Sequence, residues 1–474
     1  MTKSFSKKAW LLTALLAACG PGAGELGGTT DLEDEVGETI EAELTGAEVA
    51  QAEAFEEEVE VEASGAEPED DAFFATNSSP ELEALIGEPP LTPEQIAGTE
   101  SDTPEEPPVE GELGTSEGSL TALPRFQVAF NDPHGNDAAR MAVETALIRL
   151  IDKAPRGSAI RASWYNFTRQ RPADALLRAE ARGVNVSLVL DKNGAAGSAA
   201  APLEKLKGFK TRCRKVGAKD AHGQACIGSN INHNKYALFS SLSDGSRNVV
   251  WQASANLTGG SMHQNGVIFR QNKKLYDTYV SYHGDLLKNP TKANLNYNRT
   301  ESVGGAVKLY FSPQSKVDPV HNALRNISCN ASGPKNTIRV AMAFITGSRG
   351  VRLAKELGKL RKEGCAIEVL MSDSKSKDRI ATDVRKELLK GGVGARNYQM
   401  DSGHDGIHSK YMLVDARYGS SKRRQQLVFT GSHNWQNTAM MKNDEVLARI
   451  SSTAVYNVYN ADFMRIRKHT TALE

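Results

Sequence analysis

Beyond residue 124 the apolar residues of the chain follow two alternating periods. Phe126–Phe130 reads as a strand and leads into Asp137–Lys153, whose apolar positions recur at helical spacing. A β-rich run follows at Ala159–Phe167, then a helix at Pro172–Arg182 that stops at Gly183, the residue type that most easily closes a helix. Val184–Leu190 resumes the two-residue period and closes on Asp191. The same succession returns as Val307–Phe311, Pro319–Ile327, Thr337–Ile345, Gly350–Glu363 ending at Gly364, and Ala366–Met371 with Asp373 beyond it. Strands alternating with helices predict an α/β fold, a mixed and largely parallel sheet flanked by helices. Its duplication predicts two tandem domains, 121–300 and 301–474, facing one another across a pseudo-two-fold axis, so that a monomer carries its own internal pseudo-dimer.

Charge separates this body from what precedes it. The 474 residues sum to −1, but residues 1–19 carry +3, residues 20–120 hold 30 acids and no Lys or Arg, and residues 121–474 carry +26. The body is therefore expected to face anionic partners, which disfavours a generic small-metabolite enzyme. Residues 19–120, rich in Glu, Gly, Ala, Thr and Pro with few aromatics, cannot bury enough apolar area to offset their ordering entropy and are expected to form a disordered acidic tether. No run of 18 apolar residues occurs, which excludes a multispanning membrane protein.

At the N-terminus Lys3, Lys7 and Lys8 precede the apolar run Ala9–Ala18, the pattern of an export signal over residues 1–18. The run ends in Leu16-Ala17-Ala18-Cys19, which resembles the lipobox of bacterial lipoproteins. That resemblance implies cleavage before Cys19, lipidation of Cys19, and a membrane-anchored address in the cell envelope, at the outer membrane or the cell surface. Four further cysteines fall two per half, and in an exported chain they are expected to pair as Cys213 with Cys226 and Cys329 with Cys365. No Cys-x2-Cys spacing or paired His points to a metal.

The chemistry-bearing residues also come in two sets. One is Ile407-His408-Ser409-Lys410-Tyr411, with Asp415 closing the apolar run, then Gly431-Ser432-His433-Asn434 and Asn443-Asp444-Glu445. The other is Asn232-His233-Asn234-Lys235-Tyr236, with Ser240 in the Asp position, then Ala253-Ser254-Ala255-Asn256. On a strand, His-x-Lys puts both side chains on one face. His404 reads as a turn residue, and Arg423 with Arg424 as an exposed hairpin loop.

His-x-Lys with a downstream Ser-x-Asn, present twice at matched offsets, resembles the phospholipase D superfamily over residues 125–465. The resemblance implies two phospholipase D-like domains, a phosphodiester substrate in a phospholipid or a nucleic acid, and no metal or other cofactor. Lys235 and Lys410 would neutralise the nonbridging oxygens, and Ser254, Asn256, Ser432 and Asn434 would donate to them. One imidazole would attack phosphorus to form a phosphohistidine, and the other would protonate the leaving oxygen and then activate water. The family places a histidine-bonding carboxylate at Glu445, whereas the first copy has Gln264 and Asn265 in that region. From this we expect Glu445 to pair with His408 as general acid, and Gln264 or Asn265 to orient His233 as nucleophile. Three functions are consistent with these residues: a lipid-acting phospholipase D, favoured by the export pattern; a nuclease, favoured by the +26 body; and a catalytically weak module that binds anionic surfaces.

Overall fold

The structure is a computed structural model that describes residues 125–191, 199, 201–211, 213, 225–258, 262–288, 293–304, 306–330, 335–373, 380–399 and 406–473. The export signal, the lipidated Cys19, the acidic tether and His404 lie outside the described residues.

The first lobe contains β1 (Phe126–Phe130), α1 (Asp137–Arg140), α2 (Ala142–Asp152), β2 (Ala159–Trp164), α3 (Gln170–Ala181), β3 (Asn185–Leu190), β4 (Gly208–Thr211), β5 (Lys235–Ser241), β6 (Arg247–Ala253), β7 (Asn265–Phe269) and α4 (Lys273–Lys288). The second contains β8 (Arg299–Ser302), β9 (Val307–Ser312), α5 (Pro319–Arg325), β10 (Ile327–Ser328), β11 (Thr337–Met342), α6 (Gly347–Lys362), β12 (Ala366–Asp373), α7 (Thr382–Lys390), β13 (Gly394–Gln399), β14 (Lys410–Tyr418), β15 (Arg424–Gly431), α8 (Asn437–Met441), β16 (Glu445–Ser451), α9 (Thr453–Arg467) and β17 (Thr470–Ala472).

The local signals explain most boundaries. The predicted Asp137–Lys153 helix is broken at Met141, whose φ of −111° and ψ of 16° leave the helical region, so the Asn136 cap serves only the short α1. Helix α2 then buries Val143, Leu147, Leu150 and Ile151 at helical spacing. Gly183 and Gly364 terminate α3 and α6 with φ of 88° and 111°, the left-handed turn that their lack of a Cβ permits. Asp318 caps α5 by accepting from Val320 N at 3.0 Å, with Pro319 at the first helical position.

The sheets repeat one order, β1-β7-β6-β5-β2-β3-β4 and β9-β16-β15-β14-β11-β12-β13, the second extended by β8, β10 and β17. Both are mixed. Among the named strands of the described residues, parallel pairing is confined to β2-β3-β4 and β11-β12-β13, where a returning connection separates the strands; the motif strands β5 and β14 are antiparallel to both neighbours.

Each lobe has its own outer core, around Trp164, Leu176 and Trp251 in the first and Val340, Leu357 and Phe429 in the second. A third core belongs to both: Tyr236, Val250 and Tyr279 of the first lobe cluster with Tyr411, Val428 and Tyr459 of the second. The exchange is reciprocal, because Tyr459 of α9 meets Phe130 of β1 edge-on at 5.1 Å and Tyr282 of α4 meets Phe311 of β9 at 4.4 Å. The disulfides join Cys213 to Cys226 and Cys329 to Cys365, the expected pairs. No helix among the described residues is long and apolar enough to cross a membrane.

Candidate active site at the seam between the lobes

Each His-x-Lys motif straddles the start of a central strand. Lys235 opens β5 and Lys410 opens β14, so each lysine stem is fixed inside the sheet while its histidine sits just ahead of the strand, at the shared seam. His233, Lys235, His408 and Lys410 are all buried. Lys235 Nζ lies 3.2 Å from its own motif's His233 O and 5.5 Å above the Tyr165 ring. Lys410 Nζ lies 3.2 Å from His408 Nε2 and 3.3 Å from His408 O.

The carboxylate pairing is exchanged between lobes, which corrects the expectation for Glu445. Its Oε2 lies 3.0 Å from His233 Nδ1, so it serves the histidine of the other lobe and not His408. The cause is a strand crossing: Asp444 pairs with Asn232 in a parallel bridge, and His233 N donates to Asp444 O at 3.0 Å, which brings Glu445 alongside the imidazole. Burial pushes the Glu445 carboxyl up, but His233, then His433 and Lys235, more than reverse this and hold it below its ordinary value. An ionised carboxylate accepts only, so His233 Nδ1 carries the proton that faces it. Asn443 Nδ2 and Ser432 Oγ complete the Glu445 shell at 3.0 and 2.7 Å.

Gln264 and Asn265 do not orient His233 either. Gln264 occupies the register position that Glu445 has in the second lobe, and its Oε1 accepts from Asn131 Nδ2 at 3.0 Å. Asn265 Nδ2 donates across the seam to Thr430 Oγ1 at 2.8 Å and Tyr459 Oη at 3.1 Å. The first lobe reaches the His408 side through His263, whose N donates to Gly406 O at 2.8 Å and whose O accepts from His408 N at 2.9 Å.

Three further expectations change. Ser432 donates its hydroxyl to Glu445, and the Ser254 hydroxyl accepts from Asn265 N at 3.0 Å and donates to Asn265 O at 3.4 Å, so both hydroxyl protons are directed to protein partners that brace the site. Asp415 is not in the site: it lies five residues beyond Lys410 along β14, about 16 Å away, and on the opposite face. There it binds the Arg424 guanidinium and accepts from Gln426 Nε2 at 3.1 Å, so Arg424 is a sheet contact and not a free loop cation. Asn256 and Asn434 are buried; the Asn434 carbonyl is held at 2.9 Å by Arg349, which is itself paired with Asp318.

Residue types alone did not single out Tyr165, Asp444 or Asp191. Asp191, noted as a strand terminus, accepts from Asn232 N at 2.8 Å and so fixes the entry into the first motif. Ser372 does the same for the second by accepting from Ile407 N at 2.6 Å.

A family model described as cardiolipin synthase, PLD-like domain, matches residues 147–282 and again 329–467, one copy per lobe. The chain is similar to the crystal structure of phosphatidylserine synthase from Haemophilus influenzae Rd KW20, at 12% identity and a TM-score of 0.50, covering 74% of this chain and 87% of that one. It also matches Nuc of Salmonella typhimurium, a phospholipase D family member, at 23% identity and a TM-score of 0.26, over 35% of this chain and 94% of that one. No curated protein matches it in sequence.

Proposed function

The chain belongs to the phospholipase D superfamily, with two PLD-like domains in one polypeptide, and from that premise we propose that it hydrolyses or transfers the headgroup phosphodiester of glycerophospholipids. Superfamily members act on phospholipid or nucleic-acid phosphodiesters. The observation that carries the reading is the exchanged Glu445–His233 pair in a seam that also buries Lys235, His408 and Lys410.

In the proposed reaction His233 Nε2 attacks phosphorus, and the bond to the leaving alcohol breaks as the His408 imidazolium gives that oxygen its proton. The phosphohistidine that forms is cationic on the ring, and Glu445 stabilises it through Nδ1. Neutral His408 then takes a proton from water or an acceptor alcohol, whose oxygen attacks phosphorus and releases His233. Lys235 and Lys410 offset the negative charge of the nonbridging oxygens, and Asn256 and Asn434 donate to them.

A lipid substrate is supported by the export and lipobox pattern, which would tether the body to an envelope membrane through Cys19, and by the phospholipid synthases among the matches. The +26 charge of residues 121–474 favours the second reading, a nuclease. Purified protein incubated with chelator against phosphatidylcholine or phosphatidylglycerol vesicles, and against plasmid DNA, separates them. Headgroup release that His233→Ala abolishes supports the first reading, and nicking without headgroup release supports the second. Turnover of neither substrate above the His233→Ala control supports a binding module.

A further inference from the structure

Asp444 has no part in the chemistry above, yet its side chain joins the lobes. It is fully buried, and three consecutive backbone amides of the first lobe converge on it: Cys226 N at 2.5 Å from Oδ2, and Ile227 N and Gly228 N at 3.1 and 2.7 Å from Oδ1. Successive N–H dipoles turned inward form an anion nest, so a carboxylate fits here and a neutral side chain does not. The Asp444 backbone is held by the same lobe, its N donating to Ile231 O at 3.0 Å.

The residues on either side extend the grip. Lys442 O accepts from Ser229 N at 2.8 Å and Asn230 N at 3.1 Å, and Asn230 Nδ2 donates to Asn443 Oδ1 at 2.8 Å. Asn443 in turn donates to Glu445 Oε1 at 3.0 Å. The approach is close enough that a Cβ on Gly228 would stand 2.0 Å from Lys442 O, so only glycine fits there. Cys226, which supplies the first amide, is tied to Cys213 by a disulfide.

We propose that Asp444 is a positioning residue, an anchor that docks the segment before β16 onto the first lobe and so sets Glu445 against His233. The proposal rests on Glu445 orienting a reacting His233. A carboxylate displaced by about 1 Å costs on the order of 10²-fold in rate, so the anchor has a kinetic consequence although it touches no substrate.

The test uses the full chain and the variant Asp444→Asn, which keeps the shape but turns an N–H donor towards the nest. With bis(p-nitrophenyl) phosphate as a headgroup-independent substrate, kcat is expected to fall about 10–100-fold with KM changed less than about twofold. In a Glu445→Gln background the same substitution is expected to add less than about twofold, because its effect passes through Glu445. A second readout does not need turnover: the low-field proton resonance of His233 Nδ1–H, assigned by its loss in His233→Gln. It is expected to move or vanish in Asp444→Asn, to move less in the milder Asn230→Ala, and to stay in Gln252→Leu. That control removes the inter-lobe bond from Gln252 Nε2 to Val446 O, 3.0 Å, without touching Glu445. A resonance unmoved in both Asp444→Asn and Asn230→Ala, an equal shift in Gln252→Leu, or full additivity with Glu445→Gln would each overturn the proposal. If wild type does not hydrolyse the phosphodiester but the resonance behaves as described, the anchor stands and the catalytic reading fails.

Discussion

The lobes reach across the seam at two crossings built alike and furnished differently. At the His233 crossing the second lobe delivers Asp444 into the amide nest and Glu445 to the imidazole. At the His408 crossing the first lobe delivers His263 and Gln264, and the His263 backbone makes the same pair of bonds, to Gly406 O and from His408 N, that Asp444 makes to Ile231 and from His233. The side chains share nothing: among the described residues both His263 ring nitrogens are without a hydrogen-bond partner, and Gln264 is occupied by Asn131. Duplication has kept the backbone exchange and changed the charge it carries. Of the two inter-lobe side chains at these positions, Glu445 therefore brings a carboxylate to His233 whereas Gln264 brings only an amide to the other crossing, the asymmetry on which the proposed division between nucleophile and acid rests.

Removing the two histidines breaks this comparison most severely. We expect His233→Ala to lose about 10⁴-fold or more of phosphodiester turnover with any leaving group. His408→Ala is expected to lose about 10²–10⁴-fold with an alkyl leaving group and far less with p-nitrophenolate, which departs without a proton. Rates on the paired substrates check this, and equal losses for both variants on both substrates would remove the division of roles. Next in size, Glu445→Gln is expected to lower kcat about 10²-fold or more, and Gln264→Ala less than about fivefold, measured side by side.

Stability should be uneven too. In the chain-entropy picture, opening the 13-residue Cys213–Cys226 loop costs about 3 kcal/mol and opening the 36-residue Cys329–Cys365 loop about 4 kcal/mol, each read by denaturant unfolding of the double Cys→Ser variant. Only the first should also lower kcat, because only it braces the nest.

Acid should act on the His408 crossing, through the buried ring of His263. Burial first, then Arg465, His134 and His469, lower His263 to about 3, with Asp132 opposing them. The folded chain thus keeps this ring neutral while the unfolded chain protonates it near 6.5. Between about pH 6.5 and 3 the unfolded state binds the extra proton, so stability falls as pH falls through that window, by about 3 kcal/mol at pH 4. His263→Phe should reduce the slope of the unfolding free energy between pH 6.5 and 4 by the His263 contribution, and an unchanged slope would contradict the assignment. His433, lowered to about 3 mainly by burial and then by Arg349, adds a similar slope that His263→Phe leaves in place.

Much of the fold was legible because its signals are local. Period-two runs found β1, β3, β9 and β12 to within a residue or two, and Gly183 and Gly364 marked the ends of α3 and α6. The break at Met141 was not legible, since nothing in the periodicity of Asp137–Lys153 records the backbone turn there. In the site, His233, Lys235, His408 and Lys410 could be located by spacing, because strand geometry ties spacing to a face. Asp415 misled for the same reason: five residues from Lys410 is an odd step, which turns it to the other face and into an ion pair with Arg424.

By itself the sequence determined the duplicated α/β body, its positive charge, the two motif strands and the cysteine pairs, all of which follow from composition, period or position within each half. Only the tertiary structure decided which carboxylate meets which histidine. Glu445 lies 37 residues from His408 and 212 from His233 along the chain, yet it bonds the distant one. That choice is made by amides of residues 226–228 closing on Asp444, a contact between lobes that no local pattern encodes.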